Sequence, residues 1–403
     1  MSIAVKLLGL FGISKKQYDA REHYVVGRWR CMRTKIQKKI RTAVYAFALP
    51  LIVGSAIFTM PTFEAQAKDK WYPIKVDVWE PPFNDNLERK SSNYVALEEA
   101  TKRWRLCASI PHLKDPYWSA VNFGLIDEAK RLGVGLRLVE AGGYDHGDNQ
   151  RQQIITCMAS GADALIVSSI SADGVNDLVE KYVAAGKIVI DMINGMSSKK
   201  MTARVGVNFF DPGFAIARHI VNMKLNSGKP VKVAWFPGPD GPTWVDQGDR
   251  GFNEGLKNST AKIVVTAKGD TGRATQGALV KKALDEHKDI DVITGTTVTA
   301  EAAIDLLRRR KLQKKVKVLA YYYGPGVHRG IKRGSIVAAP TDLQSVQARI
   351  AVDLAVRALE GRPFLKHVGP KVIVVDRGNI KSFDESTSLP PRGFRPIFSI
   401  NDW

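Results

Sequence analysis

Cysteine is scarce: the chain has three in 403 residues and no CxxC pair, which removes redox and zinc-ribbon motifs from consideration. The seven histidines are dispersed, with no two at metal-ligand spacing. Nucleophile elbows and P-loops are missing as well. Gly324-Pro325-Gly326 and Gly238-Pro239-Asp240-Gly241-Pro242 read as turns rather than phosphate cradles. No catalytic constellation is left, so an enzyme has little support, and neither a cofactor nor a metal is expected. No tract is poor enough in apolar residues to demand disorder, and neither repeats nor low-complexity segments occur.

Negative charge is in short supply. Sixty Lys and Arg against 40 Asp and Glu give a formal charge of +20, which raises nucleic acid or an anionic membrane as partners. Residues 1–67 hold 11 cations and 3 carboxylates, so the remainder carries +12: basic, without being a polycation. The run from Arg308 to Lys317 stands at a helix end, where cations favour the helix dipole, and reads as a solvated face. At the front, a cationic run (Arg33 to Arg41) precedes an uncharged apolar stretch, 42–58, and then Ala65-Gln66-Ala67. That order is a secretory signal peptide, with cleavage predicted after Ala67. A membrane anchor is the weaker reading, since the stretch is short of the roughly 20 residues that span a bilayer and Pro50 breaks it. Residues 1–31 fit neither pattern; Met32, just before the cationic run, marks the expected start, with the first 31 residues an extension. Export leaves Cys107 and Cys157 in an oxidising compartment, where a disulfide and two separate buried thiols both remain open.

Residues 68–103 read as an arm that packs on the core and includes a charged, apparently helical stretch. From Trp104 strand-like runs alternate with helix-like ones: RLCASI, GLRLVEA, DALIVSS, KIVIDM and ARVGV, then VKVAWF, AKIVVTA, DVITGT, VKVLAYY and SIVAAP. Such alternation implies parallel sheets covered by helices on both faces. Two series in tandem predict a two-lobed α/β protein: lobe one from 104–207 plus 341–362, lobe two from 208–340 plus 363–403. The cleft between the lobes is the natural ligand site.

Loops at the carboxyl ends of parallel strands open into that cleft. The first, His112-Leu113-Lys114-Asp115-Pro116-Tyr117-Trp118, puts a carboxylate and two large rings there. Ala141-Gly142-Gly143-Tyr144 follows the second strand, where Gly-Gly permits close backbone approach. Phe236 to Trp244 and Tyr321-Tyr322-Tyr323 come from the second series, and Asn208-Phe209-Phe210 lies at the crossing between lobes. Ring faces attract a cation within about 6 Å, so this set suits a ligand with cationic methyl groups. Trp118 and Tyr144 read as ligand contacts ahead of mere lids on the sheet. Asp115 is equally well a helix cap, since Pro116 follows it at a helix start. For Trp244 core or hinge packing is the stronger reading, and alternation selects Tyr322 for the cleft. His112 reads as a loop hydrogen-bonder.

The runs WRLCASIPHLKDPYW, VNFGLIDEAKRLGV, EAGGY, QIITCMASGADALIV and IKRGSIVAAPTD resemble the TorT family. These are periplasmic proteins of trimethylamine N-oxide (TMAO) respiration, with the type I periplasmic-binding-protein fold. The resemblance runs from about Trp71 to the end of the core, and the PHLKD-YW and AGGY pair is its distinctive part. It implies capture of TMAO, and signalling to a membrane sensor histidine kinase of the TorS type that controls TMAO reductase genes. The membrane would then be met only through the kinase, and nucleic acid not at all. It also implies that Asp115, Tyr117, Trp118 and Tyr144 bind the ligand. At the lobe crossing, where the family carries a tryptophan, this chain has Asn208-Phe209-Phe210.

The rivals differ in class. A sugar-binding protein of an ABC importer shares fold and compartment, but such proteins carry an arginine six residues before the aromatic of a Gly-Phe motif. Here Gly251-Phe252 is preceded at that spot by Asp246. A DNA-binding repressor with the same core needs a helix-turn-helix ahead of it and no export signal. The front of this chain has the reverse.

Overall fold

From Arg105 onward the apolar runs form mostly parallel strands, and the segments between them form helices. The computed structural model describes residues 70–84, 88–225 and 229–401, within the compact unit 68–403. The predicted leader, its cleavage point and the Met32 start lie outside the described residues. The arm gives β1 (Ile74–Val78) and β2 (Lys90–Tyr94). The first series gives β3 (Arg105–Ile110), α1 (Pro116–Leu132), β4 (Gly135–Glu140), α2 (Gly147–Ala159), β5 (Ala164–Val167), α3 (Asn176–Ala184), β6 (Ile188–Met192) and β7 (Ala203–Val205). Then come α4 (Phe210–Asn222), β8 (Val231–Phe236), α5 (Thr243–Leu256), β9 (Ala261–Thr266), α6 (Arg273–Glu286), β10 (Val292–Gly295), α7 (Thr297–Arg309), β11 (Lys317–Ala320) and α8 (Pro325–Arg333). The remainder is β12 (Ala338–Thr341), α9 (Gln344–Leu359), β13 (His367–Pro370), β14 (Ile373–Asp376) and β15 (Ser399–Ile400).

Two main sheets result. The larger has the order β15-β4-β3-β5-β6-β7-β13-β1-β2, and the smaller is β11-β10-β8-β9. The smaller is parallel throughout, and so is the larger from β4 to β13. Strands such as β5 and β10 are buried at every residue, as expected of parallel strands covered on both faces. The architecture is the two-lobed α/β fold, with α9 returning to pack on α1 and on the larger sheet.

Four expectations need correction. The charged stretch of the arm is strand β2, not a helix, and β1 and β2 extend the larger sheet by antiparallel pairing. His367–Pro370, placed with lobe two, is β13 and pairs parallel with β7 of the larger sheet. Ser399–Ile400, also placed there, pairs with β4. The helix α4 has no counterpart among the predicted elements; Pro212 and Gly213 suggest a loop, yet a proline in a first turn is compatible with a helix. The open question of the cysteines is resolved as a bond. Cys107 of β3 and Cys157 of α2 are joined, with Cα atoms 6.2 Å apart.

Candidate functional site: a ring-lined cavity between the sheets

The loop after β3 sets the site. Asp115 is extended (φ −91°, ψ 125°) and caps α1, its carboxylate accepting the Tyr117 N–H at 2.9 Å, with Pro116 in the first turn. That cap aims Tyr117 and Trp118 into the cleft. Tyr144 follows β4 through Gly142 (φ +95°) and Gly143 (φ +155°), conformations that favour glycine. Trp244 opens α5 against Gly238 (φ +129°), where a Cβ would lie 2.4 Å from the indole. Phe209 precedes α4, and Tyr322 follows β11.

These six rings, with Ile193, Asn194 and Thr271, line one small cavity of about 20 Å³, room for about one water until the lobes part. All six are nearly inaccessible, from 3% for Trp118 to 8% for Tyr144. They meet at angles rather than in a stack. Tyr117 lies edge-to-face with Trp118 (5.4 Å) and with Tyr322 (5.2 Å), and Trp244 with Tyr322 (5.9 Å). Faces are therefore presented to the interior from several directions.

The polar groups are mostly spent. Tyr322 donates its hydroxyl to Asp115 (2.6 Å), Tyr117 to Asp342 (2.6 Å), and Thr297 also donates to Asp115 (3.0 Å). Burial pushes both carboxyls up to about 6. Burial likewise holds the Tyr117 and Tyr322 hydroxyls well above the usual tyrosine range, so both remain donors. Asn194 donates to the Tyr144 hydroxyl at 3.3 Å. The Trp244 indole N–H is buried and makes no well-formed hydrogen bond among the described residues, only a weaker interaction with the Tyr144 hydroxyl.

The two lobes are latched around this space. Lys114 is paired with Asp270 at 2.8 Å, the Tyr144 N–H donates to Asp270 at 3.3 Å, and His112 meets the Thr271 hydroxyl at 2.9 Å. Burial lowers the His112 imidazole to about 4. Its Nδ1 accepts the Lys114 N–H, so the neutral ring carries its proton on Nε2 and donates to Thr271. Together with Thr297 and Tyr322 on Asp115, these bonds tie loops of the larger sheet to loops of the smaller.

Such an arrangement, two sheets closing on a small ring-lined space, is that of a solute-binding protein. A family model described as a periplasmic binding protein domain matches residues 107–363, and the periplasmic protein TorT of Escherichia coli K12 is 36% identical over 85% of this chain and 94% of its own length. The chain belongs to the TorT family of periplasmic binding proteins. Two solved structures are similar to this TorT-family chain. One is an ABC transporter solute-binding protein from Bradyrhizobium sp. BTAi1 with bound bis-tris: 46% identity, TM-score 0.70, covering 82% of this chain and 99% of that one. The other is TorT in complex with the TorS sensor domain in the presence of TMAO: 30% identity, TM-score 0.66, covering 73% and 99%.

In this TorT-family structure Tyr117, Trp118, Tyr144, Phe209, Trp244 and Tyr322 meet at one cavity. Asp115 lies beneath it, acting both as helix cap and as the anchor of Tyr322. Trp244, read more readily as packing, lines the space as well. Tyr321 and Tyr323 are fully buried in the packing on either side. Sequence reasoning missed Ile193, Asn194, Thr271, Thr297 and Asp342. A signal existed for two of them: Ile193-Asn194-Gly195 follows a core strand, and Ile193 takes φ +69°, rare for a β-branched residue and typical of functional sites. Thr271, Thr297 and Asp342 carried no local signal.

Proposed function

We propose that the protein captures TMAO, or a closely related methylated amine, in the ring-lined cavity and reports its presence to the periplasmic domain of a TorS-type sensor histidine kinase. One observation carries this reading: six aromatic rings surround a small space whose lining includes the Trp244 N–H, a buried donor that makes no well-formed hydrogen bond among the described residues. TMAO has three methyls bearing partial positive charge and one strongly accepting oxygen. Ring faces suit the methyls, and a lone buried N–H suits the oxide. Asp115, Tyr117, Trp118, Tyr144, Phe209, Trp244 and Tyr322 form the site in this reading, Asp115 by holding Tyr322. The solved TorT relatives in complex with the TorS sensor domain, in the absence and presence of TMAO, support the signalling half. Export by a signal peptide cleaved after Ala67 belongs to the same reading; amino-terminal sequencing of the periplasmic form checks it.

Calorimetric titration with TMAO, betaine, choline and ribose tests the ligand. Saturable heat with TMAO and none with ribose is the expected pattern; the reverse would return the protein to the sugar binders. A second reading, the solute-binding protein of an ABC importer, is favoured by the similarity to the Bradyrhizobium ABC transporter solute-binding protein, whose bound bis-tris is a tertiary amine. Co-elution with a purified TorS-type sensor domain separates the two: an importer component has no reason to bind it.

A further inference from the structure

We propose that the cavity recognises net positive charge, so that its guests extend from the dipolar N-oxide to permanent quaternary ammonium ions. This rests on reading the ring-lined cavity as a methylated-amine site, and it adds a requirement that rings alone do not impose.

Two carboxylates lie directly behind the rings, and neither has a counter-ion. Asp115 and Asp342 are each only 1% exposed. The partners of Asp115 are the Tyr117 N–H and the Thr297 and Tyr322 hydroxyls; those of Asp342 are the Tyr117 hydroxyl and the Gln347 amide. All are neutral. Among the described residues neither carboxylate forms an ion pair, and one oxygen of Asp342 has no partner.

The surrounding charges do not fill the gap. Lys114, the nearest cation on the loop that carries Asp115, is held by Asp270 at 2.8 Å. On the facing elements stand two more acids, Asp270 and Glu301, both of which act against ionisation of Asp115 or are acted on by it. Arg273 pairs with Asp305 at 2.8 Å and comes within 3.7 Å of Glu301, and Arg329 also favours the Glu301 anion. His112 is neutral. Tyr144 and Tyr321 complete the titratable groups that face the pair, and both remain protonated. A buried charge without a partner is costly, and the open space in front of Tyr117 and Tyr322 is where a cation would supply one.

The two tyrosines connect charge to guest. Each donates its hydroxyl to a carboxylate while its ring lines the cavity, and hydrogen bonds to an anion polarise the donor. Their ring faces are thereby made more negative than those of isolated phenols. The protein's overall basicity does not cancel this, because surface charges are screened beyond a Debye length of about 8–10 Å, whereas these carboxylates act through protein interior.

The test uses three compact tetrahedral solutes of matched size: tetramethylammonium (net cation), TMAO (neutral, dipolar) and tert-butanol (neutral, weakly polar). Titrated into the wild-type protein at about pH 7.5, tetramethylammonium is expected to bind at least about tenfold more tightly than tert-butanol. That ratio is expected to shrink at about pH 5, where both carboxyls are protonated. Asp342→Asn is expected to reduce the ratio several-fold at the higher pH. If that variant does not fold, the wild-type pH series alone decides. Equal affinity for tetramethylammonium and tert-butanol at both pH values, or binding of TMAO without tetramethylammonium, overturns the charge requirement and leaves TMAO capture standing. A high ratio that neither pH nor Asp342→Asn moves overturns the role of the carboxylates. Binding of none of the three overturns both proposals.

Discussion

Trp118 and Trp244 face the same space, and the Trp244 N–H is buried there without a well-formed hydrogen bond among the described residues. Trp118→Ala is expected to weaken TMAO binding by about 1–3 kcal/mol, the loss of a desolvated ring contact and its burial, read by calorimetry. Trp244→Phe keeps a ring and deletes the donor. It is expected to cost about 1–2 kcal/mol for TMAO and little for tetramethylammonium, which has no acceptor. At this scale the cavity was partly legible in advance. The rings announced themselves because they stand in loops directly after core strands, where a large aromatic has no sheet to join. The pairing of Asp115 with Tyr322 was not legible: it joins residues 207 positions apart, and nothing local distinguishes a capping carboxylate from one that also anchors a ring. Asp342 was missed for the same reason, since its meaning comes from the Tyr117 hydroxyl.

At the level of elements, the Cys107–Cys157 bond ties β3 to α2 across 50 residues. A loop of that length corresponds to about 4 kcal/mol of stabilisation in the chain-entropy description. Reduction, or Cys157→Ser, is therefore expected to lower the denaturant midpoint markedly; a midpoint unmoved by reductant would mean that the bond adds nothing beyond packing. Gly238→Ala must place a Cβ 2.4 Å from Trp244 at φ +129°. The expected loss of stability is about 1–3 kcal/mol, accompanied by weaker TMAO binding because the indole has to move. Most strands and helices were readable because buried parallel strands are nearly pure apolar runs, broken by turns. Among the elements that escaped, α4 carries Pro212 and Gly213 in its first turn, and the strands β2, β13 and β15 are short and polar or end in Gly-Pro. Their strand character comes from the neighbour they pair with, not from their own composition.

Over the whole molecule, ligand entry is expected to favour the latched form by a hinge motion, and scattering should report a smaller envelope at saturating TMAO. Acid should act in the opposite direction. His112 and His367 are held neutral by burial, at about 4 and about 3. At these two sites the unfolded chain therefore takes up protons that the folded one refuses, and their contribution to stability is lost as pH drops below about 6.5. Asp115 and Asp342, raised to about 6, act the other way and gain stability as pH falls toward 4, so the histidine contribution is read as the difference between wild type and His112→Gln in thermal melting series from pH 7 to pH 4; a difference that does not change with pH would rule it out. Because His112 holds Thr271, the lobes should separate before the sheets melt.

The larger sheet is closed off on one side by β2 and on the other by two residues, Ser399 and Ile400, laid against β4. Asn122 fixes that segment, exchanging two 2.8 Å hydrogen bonds with the backbone of Ile397. Deleting residues from 396 onward would uncover the hydrogen-bonding groups of β4 along its outer side, an invitation to neighbouring molecules. Such a shortened protein should still take up its solute but clump in storage.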